Sequence, residues 1–248
     1  MMSILIPAYN EEKRIRDSLS ETCTYMSGSG MEYEIIVVDD GSSDGTCRIV
    51  ESMVTDFPKV RLVRYEKNRG KGHALRTGVL VTKGEFILVM DADLSTPIEE
   101  LWKLMPYLAR GEYDIAIGSR ALASSDIIRK QPWWRQGMGK LFNRIVKVLV
   151  IGEFSDTQCG FKLFTGDVAR NLFMEAKIDR FAYDVEILAR AKRNGHGIKE
   201  VPIRWINSPV SRVDPVKDSL QMLADLVRIR FAVGKVTGKG ARQGSRSS

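Results

Sequence analysis

The fold is decided by the segment Phe86-Ile87-Leu88-Val89-Met90-Asp91-Ala92-Asp93. Its five successive apolar residues predict a strand that is buried on both faces, as in a parallel sheet covered by helices. Asp91 and Asp93 follow at once, and in open α/β sheets ligands bind at the carboxyl ends of the strands. Two carboxylates one residue apart are hard ligands for Mg²⁺ or Mn²⁺ holding a phosphate-bearing molecule. An acidic turn that caps a helix would explain the same pair without a ligand.

Similar apolar runs lie on both sides of this segment and alternate with helical patterns. Strands are predicted at 3–6, 34–38, 60–65 and 114–120, and helices near 46–54, 74–81 and 97–109. This alternation indicates a mainly parallel sheet with helices on both faces. The glycines match neither dinucleotide-binding nor Walker A spacing, so a nucleotide would be held in another way.

Composition narrows the partners and the compartment. The net charge of +7 favours an anionic partner, such as nucleic acid, a phosphorylated substrate or an acidic membrane surface. The three cysteines lie far apart, which is typical of a reducing compartment without structural disulfides or zinc. No apolar run approaches the ~18 residues that suggest a membrane-spanning helix, so we expect a soluble or peripheral protein.

The second half of the chain has a different character. Residues 126–150 contain six basic residues, one acid, the pair Trp133-Trp134 and helically spaced apolar residues. They predict either a helix packed on the sheet with its charges in water, or a helix at an anionic lipid surface. Residues 216–236 show the pattern of a C-terminal amphipathic helix. Residues 237–248 form a basic tail that we expect to be disordered.

Three predicted strands end in polar motifs: Pro7-Ala8-Tyr9-Asn10-Glu11, Asp39-Asp40-Gly41-Ser42 and Asp91-Ala92-Asp93. In this order and spacing the set resembles the inverting family-2 glycosyltransferases of GT-A fold, over about residues 2–215. Three further motifs most resemble the polyprenyl-phosphate sugar synthases, with dolichyl-phosphate β-glucosyltransferases first and mannose synthases next. They are Gly118-Ser119-Arg120, Asp156-Thr157-Gln158-Cys159-Gly160-Phe161-Lys162 and Glu200-Val201-Pro202.

The resemblance implies an α/β, Rossmann-like GT-A domain over residues 1–236, with C-terminal amphipathic helices. Residues 1–121 would form its nucleotide-sugar half and residues 122–215 its acceptor half. The implied reaction moves glucose from UDP-glucose to dolichyl or another polyprenyl phosphate, with Mg²⁺ or Mn²⁺ as cofactor. A GDP-mannose-dependent mannose synthase is the alternative.

The resemblance also implies a location. The enzyme would be peripheral on the cytoplasmic face of a membrane, where a second subunit could supply an anchor. A soluble nucleotide-sugar or nucleic-acid-binding protein, and a transferase with a hydroxyl acceptor, are the competing hypotheses. The basic residues cluster with tryptophans, and the sequence lacks helix-turn-helix, RRM-like and KH-like signatures, so we expect no nucleic-acid partner.

For the nucleotide, the resemblance assigns the base-binding carboxylate to Asp39, which would accept a hydrogen bond from the ring N–H of uracil or guanine. Pro7, Tyr9 and Glu11 would form the other half of this pocket.

For the metal, the resemblance makes Asp93 the direct ligand, while Asp91 would contact the metal or the ribose. Ala92 lies between them in the nucleotide-sugar site. Ser95 stands where mannose synthases carry a ligating Gln, and it is a shorter and weaker oxygen donor.

For the acceptor, the chemistry calls for cations, because a phosphate monoester is already a nucleophile and needs positioning against the diphosphate. Arg120 is the first candidate and Arg135 the second. Arg212 lies where relatives carry a Lys on a loop over the nucleotide phosphates, and Lys71 is assigned to the base or a phosphate. Asp184 occupies the catalytic-base position of hydroxyl-using relatives, and we interpret it here as structural or as orienting a cation.

Overall fold

A computed structural model describes residues 1–129, 133–207, 217–234 and 236, without the side chains of 129, 133–136, 140 and 217. Its strands are β1 (Met2–Ala8), β2 (Tyr33–Asp40), β3 (Val60–Tyr65), β4 (Phe86–Val89), β5 (Ile115–Ser119), β6 (Asp126–Arg129), β7 (Lys162–Thr165), β8 (Ile198–Pro202) and β9 (Arg204–Ile206). Its helices are α1 (Ile15–Gly28), α2 (Thr46–Asp56), α3 (Lys71–Val79), α4 (Leu101–Ala109, after the 3₁₀ turn Ile98–Glu100), α5 (Trp133–Leu149), α6 (Gly166–Glu175), α7 (Tyr183–Arg193) and α8 (Lys217–Val233). The predicted tail 237–248 lies outside these residues.

Seven strands form one mixed sheet in the order β3-β2-β1-β4-β7-β5-β8. Neighbouring strands are parallel except at β7, which runs antiparallel to both β4 and β5. The strand order reverses at β1, since β2 lies on one side of it and the later strand β4 on the other. Such a reversal opens a crevice at the carboxyl ends of the strands, which is where ligands bind in open α/β sheets.

Helices cover both faces of this sheet, as the strand–helix alternation predicts. Helices α3, α6, α7 and α8 and the second half of α5 pack on one face, while α1, α2 and α4 pack on the other. The strands supply both cores by alternation: Leu5 belongs to the first core, and Ile4 and Ile6 belong to the second. Among the described residues, no helix is both long enough and apolar enough to cross a membrane.

The second half of the chain differs from the sequence expectation in two places. Residues 126–129 belong to a strand instead of a helix: β6 pairs with β9 in a separate two-stranded sheet, and α5 begins at Trp133. Strand β7 is inserted antiparallel in a parallel sheet, and α6 follows it directly. Local patterns could not predict either feature, because pairing partners and strand direction are set by segments distant in sequence.

A glycine in α3 tests the packing of the first core. A Cβ atom at Gly78 would collide with Leu5 and Val38, which are fully buried. We therefore expect Gly78→Ala to lower the free energy of unfolding by about 1–3 kcal/mol, because overpacking outweighs the helix propensity that alanine adds. The change is measured by chemical denaturation.

The matched control is Gly28→Ala at the end of α1, where a Cβ atom would meet nothing within 4 Å. This variant should unfold at the wild-type midpoint or slightly above it. Equal midpoints for the two variants would show that α3 has room at Gly78.

Candidate active site

One edge of the sheet collects side chains from four strands. Asp39 lies in β2 near its carboxyl end, Tyr9 follows β1, Asp91 follows β4 and Arg120 follows β5. The register aligns these ends, since Ala8 of β1 lies opposite Asp39. The sequence-predicted residues of the first half of the chain therefore meet at one edge because parallel pairing brings their strand ends together.

Asp39 is buried and only partly satisfied. Its Oδ2 accepts a hydrogen bond from the Ser42 backbone N–H at 3.0 Å, while its buried Oδ1 has no nitrogen or oxygen partner among the described residues. The neighbouring Cys47 thiol, a weak donor, has its pKa raised to about 11 by burial, by its hydrogen bond with Asp39 and by that carboxylate's charge. A buried carboxylate oxygen without a strong donor suits an N–H group supplied by a ligand.

The adjacent Asp40 is fully engaged within the protein. Its carboxylate accepts hydrogen bonds from the Tyr65 hydroxyl at 2.7 Å and from the Arg69 and Gly70 backbone N–H groups at 2.8 Å each. The Asn68 side chain donates a fourth at 2.9 Å. Asp40 thus holds the loop before α3, and of the two neighbouring carboxylates only Asp39 keeps an oxygen for a ligand.

The segment after β1 connects the two ends of the crevice. Tyr9 is exposed, whereas Glu11 is buried, and the Glu11 backbone N–H donates to Thr46 Oγ1 at 2.8 Å. The Glu11 carboxylate pairs with Arg14 at 2.5 Å, and Arg14 Nη1 lies 3.5 Å from Asp93 Oδ2. Sequence reasoning missed Arg14; its spacing of three residues from Glu11 was the only available signal.

Asp91 is held by an ion pair with Lys71, whose Nζ lies 2.5 Å from Asp91 Oδ1. Burial opposes ionisation of Asp91, but Lys71, followed by Lys162 and Arg120, outweighs it and lowers the pKa of Asp91. Burial also disfavours the Lys71 ammonium, yet Asp91 and Asp184 raise the pKa of Lys71. The pair is therefore ionised at neutral pH, with 39% of the Asp91 side chain exposed.

Asp93 lies in a tight turn. Its Oδ1 accepts the Ser95 backbone N–H at 3.0 Å, and Leu94 between them has a φ of 49°, which a residue other than glycine rarely adopts. The Ala92 carbonyl accepts the Ser18 hydroxyl at 2.7 Å, which fixes the backbone between the two acids. The turn aims the Asp93 carboxylate at the edge of the sheet, where 19% of the side chain is exposed.

The two acids have the chemistry of a cation site that a ligand completes. The described residues contain no group of three or more His, Cys, Asp or Glu side chains that could hold a metal by themselves. Mg²⁺ is commonly bound by one or two carboxylates together with substrate phosphates. The carboxylates of Asp91 and Asp93 fit that arrangement.

Arg120 is fixed on the other side of the crevice. Its Nε and Nη2 pair with the two oxygens of Asp156 at 2.6 and 2.8 Å, and its guanidinium lies 5.5 Å from the centre of the Trp205 ring. The Glu200 carboxylate accepts the Asp156 backbone N–H at 2.8 Å. Burial disfavours both charges of the Arg120–Asp156 pair, but their attraction raises the pKa of Arg120 and lowers that of Asp156. Asp156 and Glu200 belong to motifs visible in the sequence, but their roles in holding Arg120 and the Asp156 backbone depend on the tertiary structure.

Of the remaining predicted residues, Asp184 and Pro7 are described by the structure, whereas the Arg135 side chain and Arg212 are not. Asp184 is buried and forms an ion pair with the buried Lys162, a residue to which the sequence assigned no role. The structure places Arg135 in α5, but its side chain lies outside the described residues, as does the whole of Arg212. Pro7 lies in β1 opposite Val38, one residue before Ala8.

Comparison with known proteins supplies the family. Residues 3–173 match glycosyl transferase family 2. The chain belongs to this family. It is therefore a glycosyltransferase, which confirms the enzyme class expected from the three strand-end motifs.

Two relatives cover nearly the whole chain. Dolichyl-phosphate β-glucosyltransferase of Dictyostelium discoideum is 36% identical over 241 residues, covering 93% of this chain and 74% of that protein. The human enzyme of the same name is 35% identical over 247 residues, covering 94% of this chain and 76% of that protein. The relatives thus carry the name of the synthase group that the sequence motifs most resemble.

Solved structures confirm the GT-A fold. Glucosyl-3-phosphoglycerate synthase from Mycobacterium tuberculosis, in complex with Mn²⁺, UDP-glucose and phosphoglyceric acid, superposes with a TM-score of 0.71 at 18% identity. The match covers 96% of this chain and 81% of that one. A mannosyltransferase from Pyrobaculum calidifontis with GDP-mannose and Mn²⁺ gives a TM-score of 0.63 at 18% identity, covering 97% and 65%.

The contrast between the two neighbouring carboxylates gives a prediction about stability. Asp40→Asn should lower the free energy of unfolding by about 2–3 kcal/mol, because the new amide would face donors that an ionised carboxylate now satisfies. Asp39→Asn should change it by less than about 1 kcal/mol, since it affects one backbone hydrogen bond and the weak one from the Cys47 thiol. Urea denaturation of both variants measures the difference. Equal losses would mean that Asp39 has a structural role like that of Asp40.

Proposed function

We propose that this chain transfers glucose from UDP-glucose to dolichyl phosphate, or a related polyprenyl phosphate, with inversion at the anomeric carbon. The product would be dolichyl β-D-glucosyl phosphate. The observation that carries the proposal is the identity of 35–36% over more than 90% of the chain to enzymes named for this reaction. The arrangement of ligand-binding groups along the sheet edge supports it.

The donor nucleotide is assigned to the β1–β2 side of the crevice. Asp39 would accept the ring N–H of uracil through Oδ1, the buried oxygen that has no nitrogen or oxygen partner among the described residues. Pro7, Tyr9 and Glu11 would line the rest of this pocket, with Glu11 held by Arg14. Lys71 is placed beside Asp91, at the point where the diphosphate would pass.

Asp91 and Asp93 would hold Mg²⁺ or Mn²⁺ together with that diphosphate. A bound divalent cation neutralises the negative charge that develops on the leaving diphosphate. Ser95 is assigned as the third metal ligand. It would be a weak ligand, because a serine hydroxyl is a poor oxygen donor for the metal. Its backbone N–H also orients Asp93. Arg212 is assigned to the nucleotide phosphates on the strength of the resemblance.

The lipid phosphate is assigned to the β5 side. An oxygen of the ionised phosphate attacks the anomeric carbon of the sugar as the bond from that carbon to the diphosphate oxygen breaks, and UDP leaves. Asp156 occupies the Nε–Nη2 edge of Arg120, so the acceptor phosphate would meet the other edge of the guanidinium. Arg135 on α5 is the second proposed cation. No general base is needed, and the burial of Asp184 against Lys162 agrees with a role other than proton transfer.

The lipid acceptor requires contact with a membrane, and the packed helices α5 and α8 offer a surface for it. Large apolar side chains are exposed there, with Phe231 at 86%. The α5–α8 surface consists of Leu141, Val148, Leu220, Val227 and Phe231. Exposed Arg144, Arg228 and Arg230 lie among them, and arginines beside apolar groups suit an anionic lipid headgroup layer. We assign this surface to the cytoplasmic face of the membrane.

A GDP-mannose donor is the second candidate. Guanine also offers a ring N–H to Asp39, and one of the structural neighbours, a mannosyltransferase, was solved with GDP-mannose. The transfer assay below separates the two sugars.

The reaction is tested by incubating the chain with Mn²⁺, dolichyl phosphate and radiolabelled UDP-glucose or GDP-mannose. We expect UDP-glucose to give label that partitions into organic solvent. Asp93→Ala should lower turnover by at least roughly 100-fold, because charge on the leaving diphosphate would lack its counterion. Asp184→Asn should have a modest effect.

Asp167→Ala is the matched control, because this carboxylate is 95% exposed on α6. Its turnover should equal that of the wild type. Label from GDP-mannose alone would support the second candidate, and no lipid product from any nucleotide sugar would refute the proposed reaction. Full activity of Asp93→Ala would remove the metal assignment, and loss of turnover in an Asp184→Asn variant that is shown to be folded would favour a hydroxyl acceptor.

The membrane assignment is tested by sedimentation with phosphatidylserine-containing vesicles. We expect the chain to sediment with them, less so at high salt, and Phe231→Asp to weaken binding by roughly tenfold. Met174→Asp on α6 is the control, since Met174 is 65% exposed but lies outside the α5–α8 surface. If the wild-type chain stays in solution, membrane attachment requires a second subunit.

A further inference from the structure

Lys162 is a buried cation that the proposed reaction leaves unused. It begins β7, where it lies opposite Val89 of β4 and Ile117 of β5, and only 2% of its side chain is exposed. Burying an ammonium group is energetically costly unless partners compensate. Lys162 lies next to the strands whose ends line the crevice, and a role there would account for this energetic cost.

Two partners hold the Lys162 ammonium. It donates one hydrogen bond to the Cys159 backbone carbonyl and another to the Asp184 carboxylate. The first bond ties β7 to the short segment that precedes it, and the second ties β7 to the start of α7. Lys162 thus fixes the backbone at Cys159 relative to two elements.

The backbone next to Cys159 supports Asp91. Gly160 lies so close to Asp91 that a Cβ atom on residue 160 would collide with the carboxyl carbon and both carboxylate oxygens of Asp91. The position of this backbone therefore determines where the Asp91 carboxylate can lie. The charge of Lys162 also helps to lower the pKa of Asp91, after that of Lys71.

These side chains form two acid–lysine pairs, although burial raises the pKa of Asp184 in spite of Lys162 and Lys71. Asp91 pairs with Lys71, and Asp184 pairs with Lys162. The charge of Asp184 also raises the pKa of Lys71, so the two pairs lie near each other. Loss of Lys162 would leave two carboxylates with one cation.

We propose that Lys162 is a positioning residue for metal binding: through the Cys159 carbonyl it fixes the Gly160 backbone that orients Asp91 toward the cation–diphosphate. This inference rests on the proposed metal-assisted transfer. Asp184 compensates the charge of Lys162 in the buried interior. If the Lys162–Asp184 ion pair were purely structural, it would stabilise the fold without changing the affinity for the metal.

A pair of variants separates these roles. Lys162→Met alone leaves Asp184 buried without its partner, and we expect it to unfold at lower denaturant concentration than the wild type. The double variant Lys162→Met/Asp184→Asn removes both charges and should recover most of that stability. It still lacks the donor to Cys159, so the Mn²⁺ dissociation constant in the presence of UDP should rise by at least roughly tenfold.

Binding is measured by electron paramagnetic resonance of free Mn²⁺ with saturating UDP, and turnover by the transfer assay. Turnover of the double variant should fall by a similar factor, with little change in the KM for dolichyl phosphate. Asp184→Asn leaves Lys162 without its carboxylate and should also unfold at lower denaturant concentration, but it keeps the Lys162–Cys159 bond, so the folded variant should bind Mn²⁺ nearly as the wild type does. Lys192→Met is the matched control, because Lys192 on α7 pairs with Glu153 instead of with Asp184.

Gly160→Ala tests the same link without touching Lys162. The added methyl would displace the Asp91 carboxylate, so Mn²⁺ binding should weaken in this variant as well. Wild-type Mn²⁺ affinity in both the double variant and Gly160→Ala would overturn the proposal. If the double variant does not fold, Gly160→Ala decides alone. If the wild-type protein binds Mn²⁺ with UDP but makes no lipid product, the proposed acceptor is refuted. The Mn²⁺ affinities of the variants would still test the role of Lys162.

Discussion

The hydrogen-bond register of β1 with β2 and β4 is the constraint on which the site depends. Because β1 pairs in parallel with both strands, the ends that carry Asp39 and Asp91 stand on either side of it. The separation between Asp39, proposed to bind the base, and Asp91, proposed to bind the metal, is therefore set by the sheet. Helices on both faces bury these strands, so their ends cannot shift without disturbing two cores.

Charge compensation organises the groups that this register brings together. Three acids near the crevice are each paired with a cation: Asp91 with Lys71, Asp156 with Arg120 and Asp184 with Lys162. Such pairs hold charged side chains in fixed orientations at a half-buried edge, where unpaired charges would be costly. Asp39 differs, because one of its buried oxygens has no nitrogen or oxygen partner among the described residues. That difference marks the position where a ligand would supply the donor.

Much of the arrangement of the proposed donor side could be predicted from the sequence. The run from Phe86 to Asp93 predicts a buried strand ending in acids, and strand ends of parallel sheets meet by geometry. The resemblance assigned the base to Asp39 although Asp40 is its immediate neighbour, and the structure shows Asp40 fully engaged by the loop before α3. The proposed acceptor side was less predictable, since Asp156, the partner of Arg120, lies 36 residues away, and Glu200, which holds the Asp156 backbone, lies 44 residues further on.

The sequence by itself determined the alternation of strands and helices, the family and the acids at the strand ends, because apolar periodicity and short motifs are local properties. Only the tertiary structure decided the antiparallel direction of β7, the link from Glu11 through Arg14 to Asp93, and the burial of Lys162 against Asp184. These features depend on contacts between segments distant in the chain. A buried lysine cannot be recognised locally, because its burial depends on a carboxylate 22 residues away that folding brings to it.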